Sequence, residues 1–152
     1  MANTQAFCSQ CKVDLMNGLH AFGSSVVRGA TTKDAYKAAL YLVSATRNAT
    51  DTVYNATGEV SGTNYSAGGV AVTTGTGPAL DSTTAWFQPS ASIVYTNVTL
   101  ATAFDAVLIY NDTSATKLAV SVHTFGSQTV TAGDFTLTMP VGDGTTGLIR
   151  IA

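Results

Sequence analysis

The chain has 152 residues, a formal net charge of −2 and only 11% charged residues, against about 25% in ordinary globular domains. That length suits one domain. The absence of any Lys/Arg run argues against a general nucleic-acid binder, and the absence of an apolar stretch of about 18–20 residues argues against a membrane-spanning helix. A 45% hydrophobic fraction with little net charge also excludes an intrinsically disordered chain.

The balance of residue types points to β-structure. There are 25 Thr and 22 Ala, but 4 Lys and a single glutamate, Glu59. Surface helices ordinarily carry Glu–Lys pairs, whereas Thr- and Val-rich sequence punctuated by Gly suits strands and turns. The opening, Met1 to Ala6, has neither the basic nor the apolar region of a signal peptide, so the chain is expected in the compartment where it is made.

From Thr4 to about Phe22, the residues Cys8, Cys11, Leu15, Met16 and Leu19 recur at three- and four-residue steps, which predicts a short amphipathic helix. Thr4 or Asn3 would cap it, and Gly18 or Gly23 would stop it. Such a helix needs something to pack on, either its own β domain or a neighbouring subunit. Residues 1–23 thus read as a helical arm and 24–152 as a β domain.

Ser24 to Arg28 suits a short strand. Tyr36 to Val43 fits strand better than helix. A long polar loop, about residues 46–69, follows, and its Gly68-Gly69 pair should precede a short strand. Farther on, Ser92–Tyr95 and Val98–Leu100 flank a bend at Thr96-Asn97. Thr102–Tyr110 leads to a turn at Asn111-Asp112. Lys117–Phe125 and Asp134–Met139 alternate apolar and polar residues, with Gly126 and Pro140 ending them, and Gly147–Ile151 makes a final strand. The spacing predicts a mainly β chain, an antiparallel sandwich or jelly-roll-like domain preceded by the N-terminal helix.

No catalytic constellation emerges. Cys8-x-x-Cys11 lacks a second ligand pair for zinc, and no strand precedes it as a redox motif would require. It reads as two small apolar side chains on a buried helix face. The only histidines, His20 and His123, have Asp105, Asp112 and Asp134 in the chain, but no Gly-x-Ser-x-Gly nucleophile turn occurs. Phosphate loops and spaced acidic calcium loops are missing too. An enzyme is not expected, nor is a metal or cofactor. The aromatic residues Tyr54, Tyr65 and Trp86 are candidates for a contact surface, with Phe7, Leu15, Met16, Leu19 and Phe22 on the arm.

The segment from Phe7 to Phe22 (Phe7-Cys8-x-x-Cys11-Lys12-x-Asp14-Leu15-Met16-x-Gly18-x-His20-x-Phe22) resembles the opening of a family of small virion structural proteins of tailed double-stranded DNA bacteriophages. Further resembling pieces are Ala39-Leu40-Tyr41, Ala67-Gly68-Gly69, Val107 to Asp112, Phe125-Gly126, Gly133-Asp134-Phe135 and Leu148 to Ala152. The resemblance covers most of the chain. It implies a capsid decoration (cement) protein on the outer surface of the virion, made in the host cytoplasm. Implied partners are the major capsid protein and further copies of the chain in a dimer or trimer, with no nucleic acid and no membrane. The alternatives are a tail, neck or fibre-base component of the particle, or a host-surface or glycan-binding β domain.

Overall fold

The computed structural model describes residues 3–8, 11, 14–15, 18–22, 33–74, 78–82 and 84–151. Among these residues, eight strands follow in chain order: β1 (Ala6–Phe7), β2 (Tyr36–Leu42), β3 (Val70–Val72), β4 (Ala79–Asp81), β5 (Thr84–Phe87), β6 (Ile93–Asn111), β7 (Ala119–Leu137) and β8 (Ile149–Ile151). They form a five-stranded sheet in the order β1-β7-β6-β2-β3 and a three-stranded sheet in the order β4-β5-β8. Every pairing is antiparallel.

The β6–β7 hairpin dominates. Its turn forms where Asn111-Asp112 predicts one. The Asn111 carboxamide oxygen accepts from the backbone N–H groups of Thr113 and Ser114, and Lys117 adopts the left-handed region at φ 54°. Each arm is one continuous strand of 19 residues rather than two shorter ones. The expected break at Thr96-Asn97 is a bulge: Asn97 has φ 49° and the register shifts between Tyr95 and Val98. Gly126 likewise lies within β7 and does not end it, while β7 stops at Leu137, before Pro140.

The ribbon bends strongly. Phe125 and Phe135 lie ten residues apart on one strand, a separation of about 33 Å if straight, yet their ring centroids are 5.3 Å apart. Both pack on Phe104, edge-on, at 5.9 and 4.9 Å. The bulges and a left-handed Ala132 (φ 45°) allow the turn-back, and the aromatic cluster fills its inside. The folded-back end closes over β6 and β7 to leave a cleft of about 230 Å³, lined by Ile93, Val107, His123, Phe125, Leu137 and Met139 among others.

β2 is the strand expected from Tyr36 onward, and its residues from Ala38 to Tyr41 are fully buried. Burial on both faces explains the near-continuous apolar run and the absence of alternation. Gly68 and Gly69, at φ 89° and 75°, lead into β3 as expected. A Cβ on Gly69 would lie 1.7 Å from the Ala38 carbonyl oxygen, so only glycine lets the chain approach β2 there.

The N-terminal helix expected from Thr4 to Phe22 is not present among the described residues. Ala6 and Phe7 are extended and pair with Val122 and Ser121 on the edge of β7. Among the described residues of this segment, Cys11, Asp14 and Leu15 have helical backbone. That turn closes at Gly18 (φ 68°), where Gly18 N–H donates to Leu15 O and Leu19 N–H to Asp14 O, the paired bonds of a glycine C-cap. A three- and four-residue apolar period is a weak preference in a short segment, and at Ala6 and Phe7 an open strand edge offering backbone hydrogen bonds outweighs it. Met16 and the strand expected at 24–28 lie outside the described residues.

Candidate interaction surfaces

The residues of the proposed contact surface fall into separate settings. Phe7, on β1, and Leu15 are half-buried against the core, and Leu19 is 44% exposed. Phe22 is buried, stacked on Tyr36 at 5.2 Å and tilted against Phe87 at 4.7 Å. Its ring therefore joins the N-terminal segment to both sheets. Trp86 is half-buried on β5, with the backbone of Gly142 and Gly147 lying so near its side chain that an added Cβ would come within 2.6 and 3.1 Å of it.

Tyr54 and Tyr65 meet on the one glutamate. The Tyr54 hydroxyl donates to Glu59 Oε2 at 2.6 Å, the Tyr65 hydroxyl to Oε1 at 2.7 Å, and the buried Gly68 N–H to Oε1 at 2.7 Å. The Tyr65 hydroxyl also accepts the Leu40 N–H of β2, which β3 does not reach. Tyr110 stacks on Tyr54 at 4.7 Å and donates to the Gly68 carbonyl. Tyr95 stacks on Tyr65 at 6.0 Å and donates to the Ala38 carbonyl. Burial raises all four phenols, Tyr110 to about 12 and the others higher, so every ring keeps the proton that it donates.

The long polar loop is consequently fastened along its length. Glu59 bridges to Tyr41 on β2, Val53 to Leu118 beside β7, and Thr63 to Thr99 on β6. Arg47 lies 4.9 Å over the Tyr41 ring and 3.3 Å from Asp51. Nothing in the local sequence announces the four-tyrosine cluster, because its members come from positions 54, 65, 95 and 110. The single carboxylate of its kind in a tyrosine-bearing chain was the available signal.

The titratable groups weighed for chemistry are engaged structurally. Cys8 and Cys11 are fully buried, and burial pushes both thiols up to about 12. Among the described residues, no group of three or more His, Cys, Asp or Glu converges as a metal site. His20 has its side chain fully buried, with Nε2 3.8 Å from Asp14 Oδ2 and Nδ1 3.3 Å from Asn111 Nδ2, which in turn donates to Asp34 at 2.8 Å. This cluster ties Asp14 and His20 to Asn111 at the end of β6. His123 lines the apolar cleft, its Nε2 2.9 Å from Ser121 Oγ, and burial pushes its imidazole down to about 4.

The three carboxylates considered as partners for His123 are used elsewhere. Asp105 binds the Asn3 side chain. Asp112 pairs with Lys117 at 2.8 Å and Lys37 at 3.3 Å, which holds its carboxyl below the usual range. Asp134 accepts the Asn97 N–H.

The three-stranded sheet has two unlike faces. Register places Ala79, Trp86 and Arg150 on one face, with Asp81 and Thr84, and Leu80, Ala85 and Ile151 on the other. The second face begins at the buried pair Phe87 and Ile149 and runs outward to Ile151, 50% exposed, and Leu80, 72% exposed. Comparison with known proteins found no family model, no curated protein and no solved structure that matches the chain.

Proposed function

We propose that this chain is a structural protein of a tailed double-stranded DNA bacteriophage particle, a decoration protein that binds the outer shell and ties neighbouring capsomers together. The ordered series of segments resembling that family carries the reading. A low charge supports it: few charged groups need to be desolvated when such a surface is covered by neighbours. We read the folded-back β6–β7 ribbon over the five-stranded sheet as a sandwich-like core, suited to a static load-bearing part.

The mechanism is mechanical. Each copy contacts more than one shell subunit, so modest individual contacts add through avidity. Copies of the chain associate with one another and with the major capsid protein, placing several such clamps around one junction. Packaged DNA presses outward, and separating capsomers then requires breaking the clamp contacts as well.

Quantitative mass spectrometry of purified particles tests the reading. Hundreds of copies in a simple ratio to the shell protein are expected. About a dozen or fewer would make the chain a tail or neck component, and absence from the particle would overturn a structural role altogether.

A further inference from the structure

We propose that the three-stranded sheet is the surface by which one copy of the chain joins the next, strand β8 of one copy lying against strand β4 of its neighbour. The proposal rests on the association between copies in the reading above and names its surface. Among the described residues, no strand pairs with the outer edge of β4 or of β8. Both edges thus present backbone donors and acceptors that no described strand takes up; each strand is only three residues long, Pro78 precedes β4, and the charges Asp81 and Arg150 restrict which partner such an edge accepts. The apolar face beside them is exposed at Leu80 and Ile151.

The two edges are complementary. β4 and β8 each run antiparallel to β5, and so run parallel to each other. Adding β4 of a second copy beside β8 continues the sheet without reversing it. In the register that carries the existing rows onward, Ile151 lies next to Leu80 of the second copy, extending the Leu80–Ala85–Ile151 row. On the other face, Arg150 then lies diagonal to Asp81 of the second copy, about 7 Å away along the strands and within an arginine's reach. Like charges do not meet. The contact joins two different edges, so it is head-to-tail rather than an isologous two-fold contact, and we propose that it closes as a ring of three or more copies, an open filament being the alternative outcome.

Native mass spectrometry and light scattering on the full chain test this. The wild type should form a closed oligomer, and Leu80→Lys should weaken association by at least about tenfold with an unchanged circular dichroism spectrum, because Leu80 is mostly exposed. Asp81→Lys and Arg150→Glu should each weaken it similarly, and the double variant should recover most of the loss. Asp81 also accepts the Gly144 N–H, so Leu80→Lys and Arg150→Glu serve as the variants free of that local bond. A wild type that stays monomeric at about 100 μM, or an oligomer indifferent to all three substitutions, overturns the proposal. The readouts separate it from the decoration reading: a monomer abundant on the particle overturns this interface alone, whereas a β8–β4 oligomer absent from the particle overturns the decoration role alone.

Discussion

Replacing Glu59 with alanine should loosen the long loop. The carboxylate accepts three hydrogen bonds of 2.6–2.7 Å, from Tyr54, Tyr65 and Gly68. Charge-assisted bonds of this kind are each worth about 1.5–3 kcal/mol when one partner is removed. The two half-buried phenols can recover water, so they fall at the low end. The buried Gly68 N–H is less able to do so, and an orphaned buried donor costs about 1–3 kcal/mol. Together these give about 4–6 kcal/mol, a large share of a typical domain stability of about 5–15 kcal/mol.

Urea unfolding followed through Trp86 fluorescence measures the loss, and hydrogen exchange at Gly68 and Leu40 localises it. Glu59→Gln keeps the size and one acceptor and should cost clearly less. A Glu59→Ala variant within about 1 kcal/mol of wild type, with Gly68 still protected, would refute the view that this carboxylate fastens the loop.

Three further outcomes follow from other parts of the molecule. Burial holds His123 neutral down to about pH 4, against an ordinary value of 6.5, so between those values the unfolded chain takes up a proton that the native state refuses. Its contribution is complete above pH 6.5 and falls by roughly 3 kcal/mol as pH drops through 4. His123→Gln should flatten the acid limb of stability against pH, and parallel profiles would count against the assignment. Cys8 and Cys11, raised to about 12, should resist a thiol reagent at pH 8 in the native state and react at once in denaturant. Gly69→Ala places a Cβ against the Ala38 carbonyl at a left-handed φ of 75°. It should cost several kcal/mol, seen as a lower melting temperature or insoluble product.

What the sequence discloses about this fold is mostly where the chain turns. Asn111-Asp112, Gly68-Gly69 and Pro140 punctuate it as their chemistry requires, and the apolar run from Tyr36 is the buried strand that its composition suggests. The errors have one origin: a bulge and a turn use the same residues. Asn97 in the left-handed region and Gly126 read locally as ends of strands, yet β6 and β7 continue past them because each has a partner across the ladder. A period of three and four is equally local, and the β7 edge overrides it at Ala6 and Phe7. The Glu59 cluster was illegible for the opposite reason, since its parts meet only after the loop has folded over β2.

The same contacts explain how a chain with so few charges can hold a long polar loop in place. Its carboxylates are placed where each serves several partners. Glu59 accepts three donors, Asp112 two lysines, and Asp143 the N–H groups of Thr145 and Thr146 as well as the Thr146 hydroxyl. Asp134 and Asp34 accept backbone N–H groups from distant segments. Much of what carboxylates usually do at a surface, keeping the protein apart from its neighbours, is thereby traded for internal fastening. The outward face of β7 is left to Thr, Ser, Gln and Ala between Ser127 and Ala132. Hydroxyl and methyl surfaces lose little on desolvation compared with charges, so close packing against another protein is opposed only weakly. A soluble protein that works alone gains from mutual repulsion. One packed closely against neighbours gains from its absence, and that is how the low charge supports the decoration role proposed above.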